Sequence, residues 1–326
     1  MNYDGIDLYV TNLLTQTVGS NTVQVCAPVC AAARFPTDRG ARMLECTQIL
    51  TAFVLLCGLI SAQSTTRPKF FDRARIQHGD SGVTVTANDS IPLFQALYAL
   101  RLEYGWQINW EEAPCFSHFD LVDDTGPKWR AAHPDAKGVT RPAGGLFTAT
   151  FPEPNSSDPD AERLVLARLI EEYNATANPG RYVLRVDPDG QLTVVGTEVK
   201  DETGALRETP PLLDTPLTIA KATRSVNETI ESILTALQSV TGKKVLLGAI
   251  SRSLFMTTQA ATGGERTPAR ELLKQALAST KRPIQYDLGF NPDVPVYILN
   301  LSPAMKEETD GLGGQKLVPA DRLAKP

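Results

Sequence analysis

The sequence predicts an α+β fold built from two small mixed-sheet modules of βαβ–βαββ form, each with two helices packed on its sheet. Three observations carry that expectation. The same order of elements is written on both sides of residue 210: strand, helix, short strand, loop, strand, Pro-started helix and terminal hairpin. Capping residues mark the helix ends and turn residues mark the strand ends at matching places in the two halves. A chain of 326 residues, 42% of them hydrophobic, exceeds the usual single-domain length of about 100–200 and can furnish two modest cores.

The first module is expected over residues 80–200. Val83-Thr-Val-Thr-Ala87 alternates as a half-buried strand does. A helix follows from Ser90, with Leu93, Ala96, Leu97, Leu100 and Tyr104 at helical spacing and Gly105 as its stop. Trp106-Gln-Ile-Asn-Trp110 is the short strand, and residues 113–144 form a polar, Pro/Gly-punctuated insertion. Gly145 to Phe151 alternates again, and Asp158-Pro159 caps a helix whose inner face includes Leu166, Leu169, Ile170 and Tyr173. Arg181 to Val186 and Gln191 to Val195 flank the turn Asp187-Pro-Asp-Gly190 and read as a hairpin.

Residues 201–211, polar and ending Pro210-Pro211, are expected to be a semi-rigid linker to a second module over residues 212–302. There Leu217 to Ala220 is a strand. Val226, Ile230, Ile233, Leu234, Leu237 and Val240 form one helical stripe between a Ser225 N-cap and a Gly242 stop. Lys243 to Gly248 is the short strand, and Gly263-Gly264 reads as a turn before a second helix. Thr267 caps that helix, Pro268 opens it, and Ala269, Leu272, Leu273, Ala276 and Leu277 form its buried face. Pro283 to Leu288 and Val294 to Leu299 flank Asn291-Pro-Asp293 as the closing hairpin, and residues 303–326 are expected to be a disordered tail.

Residues 1–64 are expected to be a dispensable extension plus a signal peptide. Its apolar core, Ile49 to Ile60, follows Arg39 and Arg42 and precedes Ser61-Ala62-Gln63-Ser64, residues small enough for cleavage. The run is shorter than the ~20 apolar residues a membrane span needs. The competing readings are an uncleaved anchor and a buried helix. Met43 is an alternative start, although it would leave no Lys or Arg ahead of the run. Removal of this segment would take Cys26, Cys30, Cys46 and Cys57 with it and leave Cys115 without an internal disulfide partner. The expectation is an exported protein, periplasmic or extracellular, with no membrane insertion after cleavage. A net charge of −5, with no Lys/Arg cluster on any helix, argues against nucleic acid as a partner.

The chemistry-bearing residues gather in the insertion. Cys115 and His118, with His133, are a partial match to a metal-ligand set, since a site needs three or four donors converging at about 2.0–2.3 Å. Cys115 with His118 also has the composition of a nucleophile and base, but without a third group to orient the imidazole. Together they motivate one functional reading, an exported hydrolase with its site at 113–144. Glu111 and Glu112 are neighbours on an extended chain, so they point to opposite faces and read as a strand end in water. Trp106 and Trp110 share a strand face that would grip a peptide or carbohydrate if exposed, and would floor the Leu93–Leu100 helix if buried. Trp129 lies in the insertion, as an accessible residue or a cover over a domain edge. No phosphate loop, dinucleotide fingerprint or nucleophile elbow occurs, and nothing in the pattern demands a cofactor.

The stretch from Leu217 to Leu301, with Asn227-Glu-Thr-Ile-Glu-Ser-Ile-Leu, Gly242-Lys-Lys-Val-Leu-Leu and Thr267-Pro-Ala-Arg-Glu-Leu-Leu-Lys-Gln-Ala-Leu, resembles the short N-terminal domain shared by secretins and TonB-dependent receptors. Residues 83–195 resemble a more diverged second example, interrupted after Trp110. The resemblance implies a docking module of the bacterial envelope with a protein partner and no catalytic residues to carry over. It departs from the family pattern in that a Glu/Gly-rich stretch follows Ser302 where a β-barrel would begin, which implies modules standing alone.

Overall fold

The alternating and helical stripes fold as α+β, and each builds one wall of a core. The structure, a computed structural model, describes residues 74–155, 158, 160–309 and 314–320. The expected signal segment, the alternative start and the four cysteines at 26, 30, 46 and 57 lie outside the described residues. In the first half the chain runs β1 (Arg75–Gly79), β2 (Gly82–Asn88), α1 (Pro92–Tyr104), β3 (Ile108–Glu111), β4 (Leu121–Asp123), α2 (Pro127–Ala132), β5 (Thr140–Pro142), β6 (Leu146–Phe151), α3 (Ala161–Asn174), β7 (Arg181–Val186), β8 (Leu192–Lys200) and β9 (Leu206–Glu208). The second half runs β10 (Pro216–Ser225), α4 (Val226–Thr241), β11 (Val245–Leu247), α5 (Arg252–Thr257), β12 (Gln259–Pro268), α6 (Ala269–Ala278), β13 (Ile284–Asn291), β14 (Val296–Pro303), β15 (Met305–Thr309) and β16 (Gln315–Pro319).

The two halves share a topology. In each, the strand just ahead of the first long helix pairs antiparallel with the strand that leads into the second long helix, β2 with β6 and β10 with β12. The short strand pairs in parallel with the last hairpin strand, β3 with β8 and β11 with β14. The repeat also shows at the residue level once the hairpins are superposed. Pro179, Tyr182, Leu184, Pro188 and Asp189 recur as Pro283, Tyr286, Leu288, Pro292 and Asp293 at identical spacing. On the first long helix Leu93, Ala96, Leu97 and Leu100, then Gly105, correspond to Ile230, Ile233, Leu234 and Leu237, then Gly242. The eight helical positions are buried, and both glycines take the left-handed conformation, φ 74° and 68°.

Each half has its own apolar core, one over residues 83–194 and one over 212–301. The sheets, however, are continuous. β3 of the first repeat pairs in parallel with β13 of the second, Trp110 opposite Asp287 and Glu111 opposite Leu288. A single seven-stranded sheet results, in the order β11-β14-β13-β3-β8-β7, with β9 added to β8. Directly opposed residues share a face of a sheet. Trp110 belongs to the first core and Leu288 to the second, so the two cores lie on opposite faces of the shared sheet.

Two expected segments differ. Residues 201–211 are not a free linker: β8 runs on to Lys200, turns at Asp201 to Gly204 and returns as β9. The Asp201 carboxylate accepts the Thr203 and Ala205 backbone N–H groups, which makes a polar run into an ordered turn. Leu212 and Leu213 then bury in the second core. The expected tail instead carries the β15–β16 hairpin. Its root is tied at Ala304, fully buried, whose N–H donates to Pro283 and whose carbonyl accepts from Ala320. Val318 is the one buried side chain of the hairpin's two strands, among mostly polar residues, so polarity hid it. Gly263 is a strand residue, not a turn: a Cβ there would lie 2.4 Å from Lys221 Cα, where β10 bulges toward β12.

Candidate functional site

The insertion does not assemble Cys115, His118 and His133 into a centre. Cys115 is buried, and its thiol donates to the Ala113 carbonyl at 3.7 Å. Burial pushes that thiol well above its ordinary pKa, with the nearby acids Glu112 and Asp120 adding to the effect, so the nucleophilic thiolate is disfavoured. His118 is exposed, lies tilted against Phe119 and faces Glu202 at 3.7 Å. His133 stacks on Trp129 and contacts the Trp129 carbonyl. Among the described residues no group of three or more His, Cys, Asp or Glu converges as a metal site would require. The acids of the insertion are spent on structure. Asp120 is fully buried and accepts from Lys200 Nζ at 2.8 Å, and Asp123 pairs with Arg130. Asp293, in the second repeat's hairpin turn, accepts both the backbone N–H and the hydroxyl of Thr140 and so pins the insertion across the repeats.

The tryptophans separate by burial. Trp110 is 1% exposed and stacks between Phe94 and Tyr182, so it floors the α1 helix and cannot touch a ligand. Trp106 stacks on Tyr104 and is partly buried against the first core, just ahead of β3. Trp129 is 43% exposed and is the one of the three with an accessible ring.

The densest electrostatic cluster is one that periodicity did not mark, because it joins residues from 29 to 175 positions apart. Glu111 and Glu112, expected in water, are both buried at the joint between β3 and β13. They do point to opposite faces. Glu111 accepts Arg270 Nε at 2.6 Å, Arg270 Nη2 at 2.7 Å and the Tyr286 hydroxyl at 2.7 Å. Arg270 also reaches Asp214, whose carboxylate takes a bidentate pair from Arg185 at 2.6 and 2.7 Å. Burial works against the Arg270 charge, but the hydrogen bonds and charge of Glu111 outweigh it and hold the guanidinium ionised above its ordinary value. On the other face Arg101 Nη2 donates to Asp287 at 2.8 Å. These are inter-repeat clamps: Glu111, Arg185 and Arg101 belong to the first repeat, Arg270, Tyr286 and Asp287 to the second, and Asp214 to the segment that enters the second core.

Glu112 is different: among the described residues no cation pairs with it. Its Oε2 accepts the Phe290 backbone N–H at 2.8 Å, beside a cavity of about 10 Å³ shared with Pro114 and Tyr297. Burial pushes its carboxyl up to about 8, with the Phe290 hydrogen bond opposing. The only sequence signal for either acid was its place directly after Trp110, in register with a buried strand.

A sheet edge is also open to a partner. β10 pairs with β12 on one side, and its other side faces α4 across an open groove of about 730 Å³. The strand lines it with Ile219 and Arg224, and the helix with Glu231, Ser232, Ala236 and Ser239. Arg224 spans the groove, donating to the Ser232 hydroxyl at 2.9 Å and the Ala220 carbonyl at 2.6 Å. No helix among the described residues is long and apolar enough to cross a membrane. Comparisons with protein-family models, curated proteins and solved structures return no match.

Proposed function

We propose that the chain is an exported protein-binding module of the bacterial cell envelope, which recognises its partner through a sheet edge and carries out no chemistry of its own. The observation that carries this reading is the joint between the repeats. One repeat binds the other by strand addition, β13 onto β3, with the Glu112 N–H donating to the Leu288 carbonyl at 2.8 Å and charged side chains fixing the register. Edge pairing of this kind is a recurrent way for small mixed sheets to bind proteins: backbone bonds supply affinity and alternate side chains supply specificity. The repeated β-α-β-β-α-β-β order and the resemblance to the short N-terminal domain of secretins and TonB-dependent receptors support the same reading. Export is supported by the apolar run Ile49 to Ile60 and the small residues that follow it.

The test uses the purified protein as bait in crosslinked envelope extracts. A protein recovered reproducibly, and competed away by excess free bait, is the expected result. Failure to recover any such protein would sink the reading.

A further inference from the structure

We infer that the outer edge of β10 is the partner site, and that its occupant is an extended segment of the partner protein that adds as an antiparallel strand between β10 and α4. The inference rests on the binding-module reading and assigns it a place. The first repeat shows what belongs there. Its corresponding strand, β2, is covered on the edge away from β6 by the chain's own β1, antiparallel, with Arg75 opposite Thr86 and Gly79 opposite Gly82. β1 also meets the first long helix. Ile76 packs on the first core, and His78 lies 3.3 Å from Glu103 of α1 and 2.8 Å from Glu153. In the second repeat β10 holds the position of β2 and α4 that of α1, but no described strand holds the position of β1.

With Gly105 matched to Gly242, Glu103 of α1, which meets His78 of β1, corresponds to Val240 of α4, an apolar side chain that is 62% exposed. Ser239 and Thr235, which line the groove, are exposed as well. Small hydroxyl and methyl side chains at 232, 235, 236 and 239 leave the groove room for a backbone once Arg224, which spans it to Ser232 and the Ala220 carbonyl, swings aside. A strand there would place alternate side chains toward Ile219 and Ala236, one of them apolar as Ile76 is in the first repeat. The occupant is thus a segment with the alternation of β1, a single inward apolar residue among polar ones, pairing chiefly through its backbone.

The experiment titrates a fluorescent peptide of residues 74–80, Ala-Arg-Ile-Gln-His-Gly-Asp, with the full chain and follows anisotropy. A saturable rise with a midpoint below about 1 mM is expected. Ser239→Trp, at an exposed position that fills the groove, should weaken it at least tenfold. Replacing the peptide's isoleucine by aspartate should weaken it similarly. Thr235→Trp serves if Ser239→Trp lowers the melting temperature. Absence of saturation, or equal binding to the tryptophan variants, overturns the assignment. The same variants in the envelope capture separate the two claims: a partner recovered equally well by Ser239→Trp places the site elsewhere and leaves the binding-module reading standing, whereas no partner for the unaltered chain removes that reading.

Discussion

Arg270 and Glu111 are nearly out of water, 6% and 3% exposed at their side chains, and each carries a full set of partners. Removing one member of such a pair strands the other charge in a medium that solvates it poorly, which typically costs about 3–5 kcal/mol. Arg270→Met should therefore destabilise the protein by about that amount in urea unfolding. Adding Glu111→Leu to it should recover part of the loss, because the stranded carboxylate is gone. Glu112 gives a pH signature of its own. Its carboxyl titrates near 8 in the folded chain against an ordinary 4.5, so the fold favours the protonated form. The sign follows from linkage: stability is full below about 4.5 and is lost as the pH rises through 8. Glu112→Gln keeps an acceptor for Phe290 and removes the titration. The melting temperature of the unaltered protein should fall relative to Glu112→Gln between pH 5 and 8, and a constant difference over that range would show that the carboxyl is not perturbed.

At the scale of elements, the free edges are not equally available. On β7 the Asn174 side chain closes the backbone of Tyr182, accepting its N–H at 3.0 Å and donating to its carbonyl at 2.8 Å. The corresponding Tyr286 gives its N–H to the Asn109 side chain inside the joint. An asparagine thus does for the outer edge what the neighbouring repeat does for the inner one, a common way of blunting an edge against pairing. Asn174→Ala should cost about 1–2 kcal/mol for the two bonds and raise self-association, which sedentary monomeric behaviour in sedimentation at high concentration would contradict. Helix ends were legible at α4 and at the Gly105 stop of α1, whereas the starts expected at Ser90, Asp158 and Thr267 fall at Ile91, Asp160 and Pro268. Thr267 and Pro268 are still paired in β12. Ser225 and Gly242 are the cap and stop of α4, and Ser225 forms a capping box with Glu228. Loss of that cap in Ser225→Ala should cost about 1 kcal/mol. β1, α5 and the β15–β16 hairpin were not legible, because their few inward residues, such as Ile76, Phe255 and Val318, are too sparse to make a period.

On the scale of the whole molecule, the described residues form one compact unit although they contain two cores. The reason is the joint. The backbone pairing of β3 with β13 and the charged clamps on both faces tie the stability of each repeat to the other. Calorimetric unfolding should give a single transition with equal calorimetric and van't Hoff enthalpies. Two separable transitions would mean that the repeats fold independently.

The chain's own apolar spacing determined the α+β class, the repeated order of elements and the inner faces of the four long helices, except at Val240, which lies beyond the core at the end of α4 and is 62% exposed. Those depend on residues within a few positions of one another, so local periodicity and capping suffice to specify them. Tertiary structure alone decided that the sheets merge, that the cores take opposite faces, that Glu111 and Glu112 are buried, and that Cys115, His118 and His133 stay apart. Each of those outcomes turns on a pairing between distant segments, such as Glu111 with Arg270 or Trp110 with Asp287. Such a pairing is set by backbone register and by the energy of burying charge, and neither leaves a local trace in the order of residues.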